Sequence, residues 1–376
     1  MTMVDRMWLV AGTILPSMLI SWLVVWWVRS KAPGWGLVDQ PGARKVHHAP
    51  TPLGGGLGIW SGVIFSFLLG YILLSLVDHQ GEVPAWLPSF VQPHLVGLQS
   101  QLGELTLLLV GASLLMVVGL VDDFRGLPWR LRLGLQFSIT AICLIWQGWQ
   151  LTIFISFPAL TIALSVIWVV ALINSFNMLD NMDGASAGVA AIAAAILAAF
   201  LLLPGNGESG SQLFVAGFLL VLVGSLIGFL FHNRPPAKIF MGDAGSYFVG
   251  FCIGVATLLA TYASYESPGK HTLLAPLCVM AVPFYDMVTV IWIRCREGRS
   301  PFSADRSHFS HRLVELGLTK GQAVLTIYLT TATCGLGALL LHHVDWLGAV
   351  VILLMIVCVL SLIAILETTA RRKLKS

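Results

Sequence analysis

An all-α, polytopic membrane protein with about eleven transmembrane helices in a single domain (residues 1–376) is predicted by three observations. Of the 376 residues, 57% are hydrophobic and 10% charged, with a mean hydropathy of +0.86. No soluble domain can bury that share of apolar surface. Apolar windows long enough to span hydrocarbon fall at roughly 8–28, 57–77, 105–121, 131–149, 158–175, 187–203, 213–231, 246–264, 272–293, 322–341 and 346–366. With eleven spans, nineteen of the 21 Lys and Arg collect on one side, leaving only Arg6 and Lys270 on the other. The positive-inside rule then puts the N-terminus outside and the C-terminus in the cytoplasm.

In order along the chain, the opening run Met7 to Val28 is too long and Trp-rich for a signal segment and lacks a small-residue cleavage site, so it is expected to remain as the first span. The outer segments, such as Asp78–Gly103 and Pro204–Ser211, are short and broken by Pro and Gly. The polar clusters all fall in five cytoplasmic loops, at about 29–56, 122–131, 174–187, 232–246 and 294–321. The six cysteines lie in or beside apolar runs without a Cys-x-x-Cys pair, which implies neither disulfide nor zinc. No internal repeat or low-complexity stretch occurs, and no nucleic-acid partner is expected.

The first loop sets Arg44, Lys45, His47 and His48 beside the run Gly54-Gly55-Gly56, a cationic patch whose glycines permit close backbone approach and suit phosphate. Ordinary positive-inside flanking is the plainer alternative. The second opens with Asp122-Asp123-Phe124-Arg125 directly after the third span. Adjacent carboxylates repel, so when ionised they require an arginine or a hard divalent metal. Arg132, at the foot of the next helix, can pair with these acids or with a phosphate.

In the third loop Asn174, Asn177, Asp180 and Asp183 recur every three residues, roughly one side of a helical turn at a membrane mouth. A helix cap uses one such residue, not four, and carboxylates at the hydrocarbon edge are costly. In the fourth, Gly242 and Gly245 flank Asp243 and hold its carboxylate on a turn at the start of the eighth span, where an oxygen ligand suits a divalent metal. The fifth carries His308 and His311 among basic residues. With no cysteine or third histidine beside them, a grip on a diphosphate is expected rather than zinc. Asp286, the one acid well inside a span, follows Pro283 and is expected to pack against a polar neighbour.

Acids for one divalent cation and scattered Arg, Lys and His for phosphates, on an apolar scaffold, fit phosphoryl transfer to a lipid acceptor. The motifs Asp39-x-Pro41, Arg44-Lys45-x-His47, Pro52-x-Gly54-Gly55, Asp122-Asp123, Asn174-x-x-Asn177-x-x-Asp180-x-x-Asp183-Gly184, Pro236-Ala-Lys-Ile-Phe-Met-Gly-Asp-x-Gly-Ser246 and Asp305-Arg-x-His308-x-x-His311 follow one another in that order. In them, and over about residues 30–320, the chain resembles the polyprenyl-phosphate N-acetylhexosamine-1-phosphate transferase family.

The resemblance implies a Mg2+-dependent enzyme, with Mn2+ as the alternative metal, that transfers N-acetylhexosamine-1-phosphate from a UDP-N-acetylhexosamine to undecaprenyl phosphate at the lipid bilayer and releases UMP. Asp243 would be the chief metal ligand, with Asp122 and Asp123 as the metal-proximal catalytic pair. Asn177, Asp180 and Asp183 would line the nucleotide site, Asn233 and Phe240 would contact uracil, and Lys45, Arg132, His308 and His311 would hold phosphates or sugar. Oligomeric state is left open, a homodimer included. Two positions depart from the family pattern: Asn181 replaces a glycine, and Ser310 a histidine. Three other readings compete. A phospho-MurNAc-pentapeptide transferase usually carries three consecutive histidines, unlike Ser307-His-Phe-Ser-His311; a transporter would place relay acids at midplane; an aromatic prenyltransferase would repeat an Asp-rich motif on two helices.

Overall fold

The structure, a computed structural model, describes residues 3–41, 49–80, 97, 100–151, 157–203, 210–260, 270–303 and 307–375. Lys45, with Arg44, His47, His48, Asp305 and Arg306, lies outside the described residues. Among the described residues each apolar window is occupied mainly by helix, as expected where no water is present to satisfy the backbone. The helices are α1 (Met3–Trp35), α2 (Gly55–Gln80), α3 (Leu102–Arg125), α4 (Trp129–Gln147), α5 (Pro158–Leu179), α6 (Ala185–Leu202), α7 (Gly210–Asn233), α8 (Gly242–Leu259), α9 (Ala275–Val279), α10 (Ala281–Arg296), α11 (Phe309–Glu315), α12 (Lys320–Leu340) and α13 (Trp346–Lys375). Among the described residues nine of these are long and apolar enough to cross a membrane, or up to ten when His271–Val279 and α10, which meet at a bend of 63°, are counted together as one span. The eleventh window is α4, whose Arg130, Arg132, Gln136 and Gln147 leave it outside that set.

The bend has a local cause. Pro283 sits in the first turn of α10, where it has no N–H to offer the carbonyl of Val279 and its ring crowds that carbonyl, so the helix breaks at Met280. The first loop departs from the all-α expectation in one small respect: β1 (Val38–Asp39) pairs antiparallel with β2 (Thr51–Pro52), Asp39 opposite Thr51.

Helix α8 is the centre of the bundle, 83% of its spanning window being buried, against 11% for α13 at the lipid-facing edge. It packs between α3, α5 and α2, and glycines set the spacing, as is common between membrane helices. A Cβ on Gly119 of α3 would lie 2.4 Å from the Asp243 carbonyl carbon, and one on Gly250 of α8 would lie 2.5 Å from Ile173 Cα of α5. The first-loop glycines Gly55 and Gly56 also sit where backbones approach closely. A Cβ on Gly56 would stand 2.3 Å from Gly245 N, and the Gly55 and Gly56 N–H groups donate to the Phe240 and Met241 carbonyls at 2.9 Å. The orphan donors at the start of α2 thus close the first loop onto the fourth. All six cysteines are free.

Gly119→Ala should lower the thermal midpoint of the detergent-solubilised protein, because overpacking against backbone costs about 1–3 kcal/mol. Gly103→Ala in the same helix, where a Cβ meets nothing within 4 Å, should not lower it.

Candidate active site

Helix α3 ends at Gly126, which takes a left-handed φ of 66° and donates its N–H to the Asp122 carbonyl. Asp122 and Asp123 therefore occupy the last turn of α3, and Asp180 caps the C-terminus of α5. Acids at helix C-termini face the negative end of the helix dipole, a placement local stability does not favour. What offsets it is the N-terminus of α8. Asp123 Oδ1 accepts from the Asp243 N–H at 2.8 Å, and its Oδ2 from the Ala244 N–H at 3.2 Å. The Gly242 N–H donates to the Asp180 carboxylate. Gly242 has φ +73°, and a Cβ there would come within 2.5 Å of Asp123 Oδ2, so glycine is required both by conformation and by space.

Asp122 is fixed from three directions: the Leu127 N–H at 2.7 Å, Arg132 Nη1 at 3.0 Å and the Tyr247 hydroxyl at 3.0 Å. The short turn after Gly126, with Pro128 as N-cap of α4, carries Arg132 back to it. The same Arg132 Nη1 lies 3.5 Å from Asp243 Oδ2, while Asn177 Nδ2 donates to Asp243 Oδ1 at 2.5 Å. The Asp122 and Asp243 carboxyl groups also stand within hydrogen-bonding reach of each other. Of the predicted acids, Asp123 is engaged by α8 and Asp122 by Arg132 and Tyr247. Asp243, its side chain 27% exposed, remains open to a ligand. Burial first, then the Asp123 charge, pushes the Asp180 carboxyl up to about 7, with the Gly242 N–H opposing them and Asp183 adding to the rise.

A cleft of about 790 Å³ opens here, lined by Asp122, Asp123, Arg132, Asp180, Asp183, Asn233, Phe240, Asp243, His308 and His311. Every described residue predicted for the site except Asn177 lines it, and Asn177 supports Asp243 from behind. Asp183 Oδ2 accepts from the Ala237 N–H at 2.9 Å, and the buried Asn233 amide bridges the Gly184 N–H and the Ile239 carbonyl at 2.9 and 2.8 Å. Both therefore tie the third loop to the fourth. Asn174, expected on the same side, instead donates to Gln136 of α4 at 2.7 Å, because each step of three falls about 60° short of a full turn.

The fifth-loop helix α11 closes the cleft. His308 Nδ1 lies 3.0 Å from Asp286 Oδ2, and the Phe309 N–H donates to Asp286 Oδ1 at 2.5 Å. The acid expected only to pack against a polar neighbour thus orients His308, whose ring centroid is 6.2 Å from that of His311. Ser310 donates to Asn181 Oδ1, so the two positions that depart from the family pattern contact each other. Sequence reasoning missed Tyr247, whose hydroxyl is hidden in an apolar run, and gave no role to Asp39 or Lys320, which also line the cleft.

Among the described residues no three His, Cys, Asp or Glu side chains form a preformed metal cage. Mg2+ does not demand one, since it usually takes one or two carboxylates and completes its shell with water and substrate phosphate. An all-oxygen donor set of Asp122, Asp123, Asp180 and Asp243, in which Arg132 pairs with Asp122 and Asp243, fits such an ion. If Asp123 caps α8 as described, Asp123→Ala should destabilise the protein in detergent by about 1–2 kcal/mol, as lost caps do, and Asp123→Asn by less, read as thermal midpoints.

Residues 105–261 match the sequence profile of Glycosyl transferase family 4. The chain is 31% identical over 364 residues to a probable undecaprenyl-phosphate N-acetylglucosaminyl 1-phosphate transferase of Bacillus subtilis, covering 94% of this chain and 91% of the relative. It is 33% identical to the decaprenyl-phosphate N-acetylglucosaminephosphotransferase of Mycolicibacterium smegmatis, over 86% and 80% of the two chains. It is 28% identical to the undecaprenyl-phosphate alpha-N-acetylglucosaminyl 1-phosphate transferase of Escherichia coli, over 92% and 88%. With likeness of this extent and a cleft assembled from all the described motif loops, the chain belongs to glycosyl transferase family 4, among the polyprenyl-phosphate N-acetylhexosamine-1-phosphate transferases.

Proposed function

We propose that this enzyme transfers N-acetylglucosamine-1-phosphate from UDP-N-acetylglucosamine to undecaprenyl phosphate in the inner membrane, at a cleft facing the cytoplasm, with Mg2+ or Mn2+ as cofactor. The observation that carries the reading is the meeting of Asp122, Asp123, Asp180 and Asp243 with Arg132 at one helix N-terminus. The group that the relatives' names give as transferred, N-acetylglucosamine phosphate, supports the choice of sugar.

A phosphate monoester has its second pKa near about 6 and is mostly dianionic at neutral pH, so the lipid acceptor needs orientation more than a base. One of its oxygens attacks the β-phosphorus of the donor. A new P–O bond forms, the bond from that phosphorus to the bridging oxygen breaks, and UMP leaves with the electron pair. Asp122, held by Arg132, Tyr247 and the Leu127 N–H, is rigid enough to orient the acceptor. A divalent cation held chiefly by Asp243, with Asp122 and Asp123 beside it, would neutralise charge on the diphosphate. Asp180 and Asp183 would line the nucleotide end, with Phe240 against the uracil. His308, its Nδ1 fixed by Asp286, offers its other ring nitrogen to the donor's phosphates or sugar.

Asp243→Asn should reduce Mg2+-dependent UMP release by on the order of 100-fold or more while the protein remains folded in detergent; near-normal turnover would remove it as the metal ligand. His308→Ala should raise the KM for UDP-N-acetylglucosamine about tenfold or more, the worth of one hydrogen bond to a charged group. An equal rise in the KM for undecaprenyl phosphate would contradict the donor role.

A further inference from the structure

Helix α13 is the most lipid-exposed of the spanning helices, yet it carries a carboxylate, Glu367, that is only 4% exposed. An acid buried at a membrane helix is costly unless its surroundings require it. Its partners come from α11 and from α10 beside it. Glu367 Oε2 accepts from Arg312 Nε at 2.8 Å and from the Tyr285 hydroxyl at 3.0 Å. Arg312 follows His311 in α11 and is itself buried; it also donates to the Ser307 carbonyl, the residue before His308, and to Thr289 Oγ1 at 3.0 Å. The guanidinium lies 5.6 Å from the Tyr285 ring and 5.9 Å from that of Phe309, and those two rings meet edge to face at 5.3 Å. The segment Ser307–Arg312 is therefore gripped at two buried acids: Asp286 of α10 holds His308 and the Phe309 N–H, and Glu367 of α13 holds Arg312. If α13 needed only an anchor, an apolar contact would serve at lower cost, and Glu367 Oε1 is buried with no hydrogen-bond partner.

We infer that Glu367 is a positioning residue for the donor half of the reaction. Acting through Arg312, it sets the pose of His308 and His311 at the cleft, so the last helix is part of the catalytic unit. The kinetic side of this inference rests on the donor role given to His308 above; the positional side does not.

Two readouts separate them. Carbethoxylation by diethylpyrocarbonate, followed site by site by mass spectrometry, should rise several-fold at His308 in Glu367→Gln. It should stay unchanged at His232, which is buried at the end of α7 against the Trp22 carbonyl and reports loss of fold. Because Glu367→Gln strands a buried guanidinium, the Arg312→Gln, Glu367→Gln pair, which leaves no unpaired charge, should give the same labelling pattern. The KM for UDP-N-acetylglucosamine should rise about tenfold in Glu367→Gln with that for undecaprenyl phosphate within about twofold, and the effect should vanish in a His308→Ala background, as coupled residues require. Unchanged labelling at His308 in both variants, or effects of Glu367→Gln and His308→Ala that simply multiply, would overturn the proposal. A rise in labelling with the donor KM unmoved would support the positioning and instead refute the donor role of His308.

Discussion

The site depends on where helix α8 begins. A helix N-terminus leaves N–H groups without partners and carries partial positive charge, while a carboxylate in the last turn of a helix meets the opposite field. Here the two liabilities cancel. Asp123 from α3 and Asp180 at the end of α5 receive the Gly242, Asp243 and Ala244 N–H groups. Three helices are thereby fastened at one point, and Asp243 is delivered beside Asp122 and Arg132. The excess of carboxylate over guanidinium that results is unfavourable in isolation, and the N–H groups at the start of α8 and Arg132 offset it.

Holding that junction requires backbones to approach more closely than side chains permit. Gly119, Gly56 and Gly250 place α3, α2 and α5 against α8 at distances a Cβ would violate. The amide of Asn233 and the carboxylate of Asp183 then bind the third loop to the fourth. Polar side chains that look like substrate contacts in isolation are at the same time the ties that give the cleft its shape, and a ligand would meet a surface already ordered.

The fifth loop is organised by a different device. Its short helix α11 would have little stability alone, and buried acids reach in to hold it, Asp286 of α10 at His308 and the Phe309 N–H and Glu367 of α13 at Arg312. The proline-induced bend at Met280 and the nearly unburied α13 thus acquire a common consequence: each brings one carboxylate to the back of the histidine-bearing turn. The Ser310–Asn181 contact joins the same turn to the third loop, so the two departures from the family pattern form one local arrangement.

The amino-acid sequence by itself determined the helical class, the spans and the loops that carry chemistry, because hydrocarbon imposes length and apolarity on every crossing segment and confines charge to the ends. It also singled out Asp122, Asp123, Asp180, Asp243 and His308, since acids beside a span or histidines in a basic loop have few ordinary explanations. Only the tertiary structure decided how those residues divide their work. Asp123 reads the same as Asp122 until α8 arrives to be capped by it, and Asn174 reads as part of the acidic ladder until α4 claims it. Tyr247, Asp286 and Glu367 are single polar groups in apolar runs, whose meaning comes from partners brought together by folding across long stretches of chain. Local composition fixes what can enter the membrane; which side chains meet at its edge is set by packing distances that no window of sequence contains.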